Sequence, residues 1–165
     1  MTSSLFENNG ADFSPCGKYR YKLWRIWNEE LPIAMCIGLN PSTANSAKND
    51  PTINILKRML TKLGYGGFYM MNLYSYISTK PSELIDVDEV EKRNNFLRLI
   101  ETAKTCDTVI FAWGNFKKAI NSGRFVSGLF DGVCFDKSSS GAPIHPLAMQ
   151  ERNGRDPNNP QLIKF

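Results

Sequence analysis

The segment between residues 35 and 52, MCIGLNPSTANSAKNDPT, limits what this chain can fold into more than any other stretch. It begins as a short apolar run and changes abruptly into the polar turn-forming residues 40–43, a pattern typical of a buried strand that ends in a loop. Asp50 is a good helix N-cap and Pro51 a good first helical residue, so a helix is predicted to follow. The carboxyl end of such a strand is a ligand-binding position in open α/β sheets, although a long surface loop would give the same pattern.

The rest of the chain alternates between predicted strands and predicted helices. Further strands are predicted at 68–73, 108–113 and 132–135, and helices at 51–63, 87–103 and 116–130, the last interrupted at Gly123. Alternation of this kind favours a parallel sheet that is covered by helices on both faces. We therefore predict an α/β fold with three α/β/α layers and a mostly parallel central sheet.

The N-terminal part of the chain predicts an antiparallel edge to this sheet. Residues 19–27 alternate between two substantial faces, residues 28–30 form a turn, and residues 31–39 run back, so an antiparallel hairpin is expected at the edge. Residues 1–17 are polar and predict a loose N-terminal arm. Residues 18–165 are predicted to form a single α/β domain, for which the length is sufficient.

Composition and charge exclude several classes of function. The chain has 165 residues, a net charge of +4 and a pI of about 8.9, which permits a polyanionic partner without requiring one. No apolar run is long enough to span a bilayer and no leader pattern opens the chain, so we expect a cytoplasmic protein without a membrane partner. The four cysteines form no CxxC pair and His145 is the sole histidine, so neither a metal nor a cofactor is expected.

Polar residues follow the predicted strands at the points where they end. Asn40, Asn72, the Trp113-Gly114 pair and His145 occupy four such positions, and parallel strands would bring all of them to one edge of the sheet. His145 stands between two prolines in a Ser/Gly loop, which restricts its backbone. Each residue also has a structural alternative: a turn former, a strand terminator, a core tryptophan and a surface histidine.

This set of residues restricts the chemistry. There is no GxxxxGK[ST] loop and no GxGxxG turn, so the common phosphate-binding motifs are absent from the sequence. Asparagine amides and an imidazole are suited to binding the edge of a heterocycle, and Tyr74, Tyr76 or Trp113 are candidates for stacking on its face. Asp50 is a candidate carboxylate for activating a water molecule.

Five motifs carry a resemblance to a known family. The segments RYKLWRIW, IGLNPSTAN, GYGGFYMMNLYSYISTKPSEL, VIFAWG and GAPIHPL resemble, in order, the family catalogued as domain of unknown function 1643. The resemblance extends over nearly the whole chain, from residue 19 to residue 147. It implies a compact α/β domain and no established activity.

The chain is also similar, more distantly, to the uracil-DNA glycosylase superfamily. Residues 38–42, GLNPS, resemble the first motif of the mismatch-specific branch, which implies that Asn40 helps to position the attacking water. Residues 68–72 resemble the strand whose final asparagine reads the base, and His145-Pro146 matches the motif whose histidine faces the base carbonyl. Ser42 replaces a glycine of the first motif, and Leu147-Ala148 replace the Ser-Pro of the loop that penetrates duplex DNA, so the resemblance concerns the pocket more than the duplex-penetrating loop.

We therefore expect a glycosylase-like hydrolase that acts on the N-glycosidic bond of a nucleobase in nucleic acid or nucleotide. The expected catalytic residues are Asn40, Asp50 and His145, and the expected substrate-binding residues are Pro41, Ser42, Thr43, Asn72, Tyr74, Trp113 and Gly114. The alternatives are a non-catalytic module that binds a nucleotide or nucleic acid, and a module on the same fold that binds a protein partner.

Overall fold

The computed structural model describes residues 7–84 and 89–165, and these form one mixed sheet with helices packed against it. The strands are β1 (Asn8–Phe13), β2 (Arg20–Ile26), β3 (Ile33–Gly38), β4 (Gly67–Asn72), β5 (Thr108–Phe111), β6 (Val133–Cys134) and β7 (Ile163–Lys164). The helices are α1 (Pro51–Lys62), α2 (Glu89–Ala103) and α3 (Ala119–Ser127), with short 3₁₀ turns at Pro81–Glu83, Pro146–Ala148 and Glu151–Asn153. The predicted α/β class is confirmed.

The parallel strands occupy the middle of the sheet. The strand order is β1-β2-β4-β3-β5-β6-β7, in which β4, β3, β5 and β6 run parallel while β1, β2 and β7 are antiparallel additions at the two edges. The last residue of β3, Gly38, pairs with the last residue of β4, Asn72. The carboxyl ends of the central strands therefore meet at one edge of the sheet.

Strand β3 separates two hydrophobic clusters. Its residues Ala34 and Cys36 belong to a cluster that contains the buried face of α1, whereas Met35 and Ile37 belong to a cluster that contains side chains of α2 and α3. Successive side chains of a strand point to opposite faces, so helices cover both faces of β3. This explains why β3 is apolar along nearly its whole length, as is typical of a strand that is buried on both faces.

Two predictions about the N-terminal part are wrong. The predicted hairpin over residues 19–39 does not form, because β4 lies between β2 and β3 and pairs with both. The antiparallel hairpin at this edge is made instead by β1 and β2, so residues 8–13 of the predicted loose arm form a strand, while residues 1–6 of that arm lie outside the described residues. The sequence of β1 gave little sign of this, because most of its residues are exposed at the edge and Gly10 is buried beneath the Trp24 ring.

The predictions for the helices hold with one exception. Helix α1 begins where expected, with the Asp50 side chain accepting the Ile53 N–H at 2.9 Å and Pro51 in the first turn. Helix α2 is described from Glu89, and its predicted start at 87 lies outside the described residues. Helix α3 is shorter than the predicted range 116–130 and runs unbroken through Gly123, where an added Cβ would lie 2.9 Å from the Trp113 ring. Gly123 therefore permits close packing and does not end the helix.

A buried arginine fixes the long connection between β3 and α1. Arg25 is 2% exposed, and its Nε donates to Asn49 Oδ1 at 2.7 Å. Its Nη2 donates to the Asn45 carbonyl at 2.6 Å and its Nη1 to the Trp24 carbonyl at 2.9 Å. Residues 43–49 have no regular secondary structure, so the guanidinium supplies the donors that the backbone of this connection lacks.

The cysteines and helices show two further features. All four cysteines are free thiols, and Cys36 and Cys134 are buried, which raises the pKa of each. Within the described ranges, no helix is long and apolar enough to cross a bilayer.

We predict that Arg25→Met lowers the free energy of unfolding by about 2–4 kcal/mol, since it leaves buried carbonyls of the connection without a donor. Urea unfolding followed by circular dichroism measures this change. Lys48→Met is the control, because Lys48 lies in the same connection with an exposed side chain. It should change stability by less than about 0.5 kcal/mol, and an equal loss in both variants would contradict the role of Arg25.

Candidate functional site

A cavity of about 310 Å³ opens at the carboxyl edge of the parallel strands. It lies beside the ends of β3 and β4 and the start of α1, and the turn that contains His145 closes one side. Its size is at the lower end of the range typical of small-molecule sites. The lining residues are Arg20, Gly38, Leu39, Asn40, Ser42, Asp50, Thr52, Ile53, Met70, Asn72, Ser78, Thr79, Pro81, Phe116, His145 and Leu147.

Half of the expected site residues line this cavity. The structure brings together Asn40, Ser42, Asp50, Asn72 and His145, which lie up to about a hundred residues apart in the sequence. Asn72 ends β4, and Asn40 and Ser42 lie in the loop that follows β3. Asp50 caps α1 and His145 lies in a turn well beyond β6, and both reach the same carboxyl edge of the sheet.

The remaining expected residues lie elsewhere. Pro41 is buried beside the cavity and Thr43 is exposed to solvent. The Tyr74 hydroxyl donates to the Lys118 carbonyl at 2.8 Å, on the side of the sheet that carries the second hydrophobic cluster. Trp113 is 3% exposed and packs on Phe111, and it lines a separate cavity together with Gly114. The structure therefore does not bring Tyr74 or Trp113 to the face of a ligand in the first cavity.

Asn72 has a buried amide oxygen without a partner. The residue is 2% exposed, and its Oδ1 makes no hydrogen bond within the described part of the chain. The amide lies against Gly38, where an added Cβ would be 2.8 Å from Oδ1. Asn95 fixes the backbone, because its Nδ2 donates to the Asn72 carbonyl at 2.8 Å. An unsatisfied buried acceptor in a cavity is suited to a ligand that brings a donor.

The His145 imidazole lines the cavity. Its Nδ1 accepts the Leu147 N–H at 3.1 Å, so in the neutral ring the proton is on Nε2. Burial lowers the pKa of His145, with the Asp50 carboxylate opposing this shift, so the imidazole is neutral at pH 7. Gly114 supports the turn, since its N–H donates to the Pro143 carbonyl at 3.0 Å and its bare Cα leaves space beside the His145 Cβ.

Asp50 combines a capping role with a place in the cavity wall. The residue is 8% exposed and its Oδ1 accepts the Ile53 N–H at 2.9 Å, which leaves Oδ2 for other partners. The N-terminus of α1 favours negative charge at this position. A carboxylate fixed in this way can orient a water molecule or accept its proton.

Asn40 ties together the loops that follow β3 and β4. Its Nδ2 donates to the Pro41 carbonyl at 3.0 Å and to the Ser78 carbonyl at 2.8 Å. The Ser78 N–H in turn donates to the Pro41 carbonyl at 3.0 Å. With its amide nitrogen engaged, Asn40 can offer a ligand or a water molecule its Oδ1 as an acceptor.

The sequence analysis named neither Arg20 nor Phe116 among the expected site residues, although both line the cavity. Arg20 is 3% exposed and its Nη1 donates to the Ala44 carbonyl at 3.0 Å; burial lowers its pKa to about 10, so it stays charged at neutral pH. Phe116 lines the cavity with its ring 37% exposed. Phe116 could have been predicted as a site residue, because it follows Gly114-Asn115 at the end of a predicted strand. Nothing in the alternation of β2 distinguishes Arg20 from a surface residue.

A family model described as "Protein of unknown function (DUF1643)" matches residues 20–147. The chain therefore belongs to this family, and the matched range runs from Arg20 to Leu147 and includes every residue that lines the cavity. No curated protein and no solved structure matches the chain.

We predict that His145 makes stability depend on pH in a defined direction. The unfolded histidine takes up its proton near pH 6.5, whereas burial lowers its pKa in the folded protein. The contribution of neutral His145 to the free energy of unfolding is therefore fully present above about pH 6.5, and it decreases as the pH falls towards the lowered pKa. Urea unfolding at pH 7.5 and at pH 5.5 measures the loss.

His145→Asn is the matched variant for this measurement, because an Asn Oδ1 can still accept the Leu147 N–H but does not titrate. The wild type should lose more stability than the variant between the two pH values, since other titrating groups contribute equally to both. An equal loss in the two proteins would show that His145 is not buried in its neutral form.

Proposed function

We propose that the protein is a glycosylase-like hydrolase that cleaves the N-glycosidic bond of a nucleobase in nucleic acid or nucleotide. The proposal includes a three-layer α/β/α arrangement similar to that of uracil-DNA glycosylases. The observation that supports it is the buried Asn72 amide, whose Oδ1 has no partner among the residues that the structure describes, in a residue that lines one cavity with the neutral His145 imidazole.

The cavity has the polar groups that a base edge requires. An Asn amide offers one acceptor and two donors, so it can form a two-point contact with a base. The Nε2–H of His145 adds a donor for a carbonyl oxygen of the base. The apolar side chains of Leu39, Ile53 and Phe116 also line the cavity, and a base that displaces water from beside them would strengthen the hydrogen bonds made there.

The proposed reaction is hydrolysis with water as the nucleophile. Asn40 Oδ1 orients the water, its oxygen bonds to C1′ of the sugar, and Asp50 accepts the proton that the water loses. The C1′–N bond breaks and its electron pair leaves with the base. His145 donates a hydrogen bond to the base oxygen on which negative charge develops, and the proton taken by Asp50 finally returns to the base.

A non-catalytic nucleotide or nucleic-acid binder is the second candidate, and a specific observation favours it. One Asp50 oxygen caps α1 and the Asn40 amide nitrogen ties two loops together, so the residues with the proposed catalytic roles also have structural ones. Binding would need Asn72 and His145 alone. The net charge of +4 suits a phosphate-bearing partner in either case.

We predict that His145→Asn lowers turnover by about 100-fold or more but weakens ground-state binding by only about 1–3 kcal/mol, because the Nε2–H acts mainly in the transition state. The assay is base release from single-stranded and duplex oligonucleotides and from nucleotides, including modified bases. Asp50→Asn should also reduce turnover while it keeps an N-cap for α1.

Ser139→Ala is the control for these variants, since Ser139 is exposed in the loop before His145. It should leave both turnover and affinity unchanged. Binding without release on every substrate would replace the hydrolase with the non-catalytic binder. Absence of both binding and release would favour the module that binds a protein partner.

A further inference from the structure

Strand β2 contributes two buried arginines whose hydrogen bonding differs sharply. All three guanidinium nitrogens of Arg25 donate to the protein, to Asn49 and to backbone carbonyls. Arg20 is buried to the same degree, but its guanidinium makes one hydrogen bond within the described residues, from Nη1 to the Ala44 carbonyl. Its Nε is buried without any partner there, and Arg20 lines the cavity whereas Arg25 does not.

The Asp50 carboxylate favours the positive charge of Arg20 from a distance, but the two groups form no ion pair. No carboxylate among residues 7–84 and 89–165 lies within 4.0 Å of its guanidinium. Asp50 is the other charged residue of the cavity wall, and its carboxylate is held at the positive end of α1 by the Ile53 N–H. The cavity thus contains a buried cation with a free donor, together with an anion that the helix terminus already stabilises.

We propose that Arg20 recognises negative charge on the ligand, so that the cavity binds a heterocyclic base in its ionised form in preference to its neutral form. The Arg20 Nε–H donates to a ring nitrogen or exocyclic oxygen that bears the charge. A buried cation attracts an anion strongly where water is excluded, and a charged hydrogen bond is stronger than a neutral one. This inference rests on the proposed function, since it assumes a base in this cavity.

The same preference would assist cleavage of the glycosidic bond. The base departs with the electron pair of the C1′–N bond and therefore carries negative charge in the transition state. Arg20 would then be a catalytic residue in addition to His145, and it would give the cavity a full positive charge where His145 gives only a neutral donor. Bases with electron-withdrawing substituents, which ionise readily, would be the best substrates.

The test compares equilibrium binding of two free bases at pH 7.5: uracil, which is neutral, and 5-nitrouracil, which is ionised. His145 is present in the wild type and in the Arg20 variants alike, so its hydrogen bond to the base does not contribute to the change in the ratio of the two affinities between them. The wild type should bind 5-nitrouracil about 10- to 100-fold more tightly than uracil. In Arg20→Gln this ratio should fall at least about tenfold or, if the wild-type ratio is about 10, to near one, and because the shapes of the bases and the His145 donor are the same in both proteins, the change in the ratio isolates the charge of Arg20.

Two further variants serve as controls for this comparison. Arg20→Lys keeps the positive charge and should retain part of the preference, even if Arg20→Gln proves too unstable to study. Lys18→Gln removes an exposed charge close to Arg20 in the sequence and should leave the ratio unchanged.

Three outcomes would overturn the inference. Equal affinity of the wild type for both bases would refute it while leaving the proposed function in place. A preference that persists in Arg20→Gln would assign the recognition of charge to another group. Failure of either base to bind, together with no base release from any substrate, would refute the inference and the proposed function together.

Discussion

The fold depends on the hydrogen bonds between the buried Arg25 guanidinium and the irregular connection that joins β3 to α1. This connection lies at the carboxyl edge of the sheet, and without regular structure its carbonyls need donors from elsewhere. Arg25 supplies them from strand β2, and Arg20 of the same strand does so for Ala44. The connection ends at Asp50, so the position of this carboxylate and the start of α1 follow from the same interaction.

The cavity results from the meeting of strand ends that are far apart in sequence. In the register between β3 and β4, Gly38 pairs with Asn72. Because Gly38 has no side chain, there is room for the Asn72 amide. The turn around His145 is held beside them by the hydrogen bond between Gly114 and Pro143. These contacts satisfy the hydrogen bonding of backbone groups and leave polar side chains in the cavity wall. A ligand-binding site requires this arrangement.

The strand–loop–helix unit and its cap could be predicted from local sequence patterns. The effects of Asp50 and Pro51 on the start of α1 depend only on residues a few positions away. The convergence of Asn40 and Asn72 was also predictable, since it needs only the parallel direction of β3 and β4. The same reasoning included His145, which lies eleven residues beyond the end of β6 and reaches the cavity through a turn. The strand order was not predictable, because pairing β4 with both β2 and β3 depends on long-range burial. The direction of the Arg20 side chain and the close packing of Gly123 on Trp113 depend on tertiary contacts for the same reason.

The central claim is that a nucleobase binds in the cavity with its edge on the Asn72 amide. A crystal structure of the protein with a free base, or with a short oligonucleotide that contains it, tests this most directly. We predict that a base N–H donates to Asn72 Oδ1 at about 2.9 Å and that a base oxygen accepts from His145 Nε2. A base bound outside this cavity, or bound within it without contact to Asn72, would contradict the account.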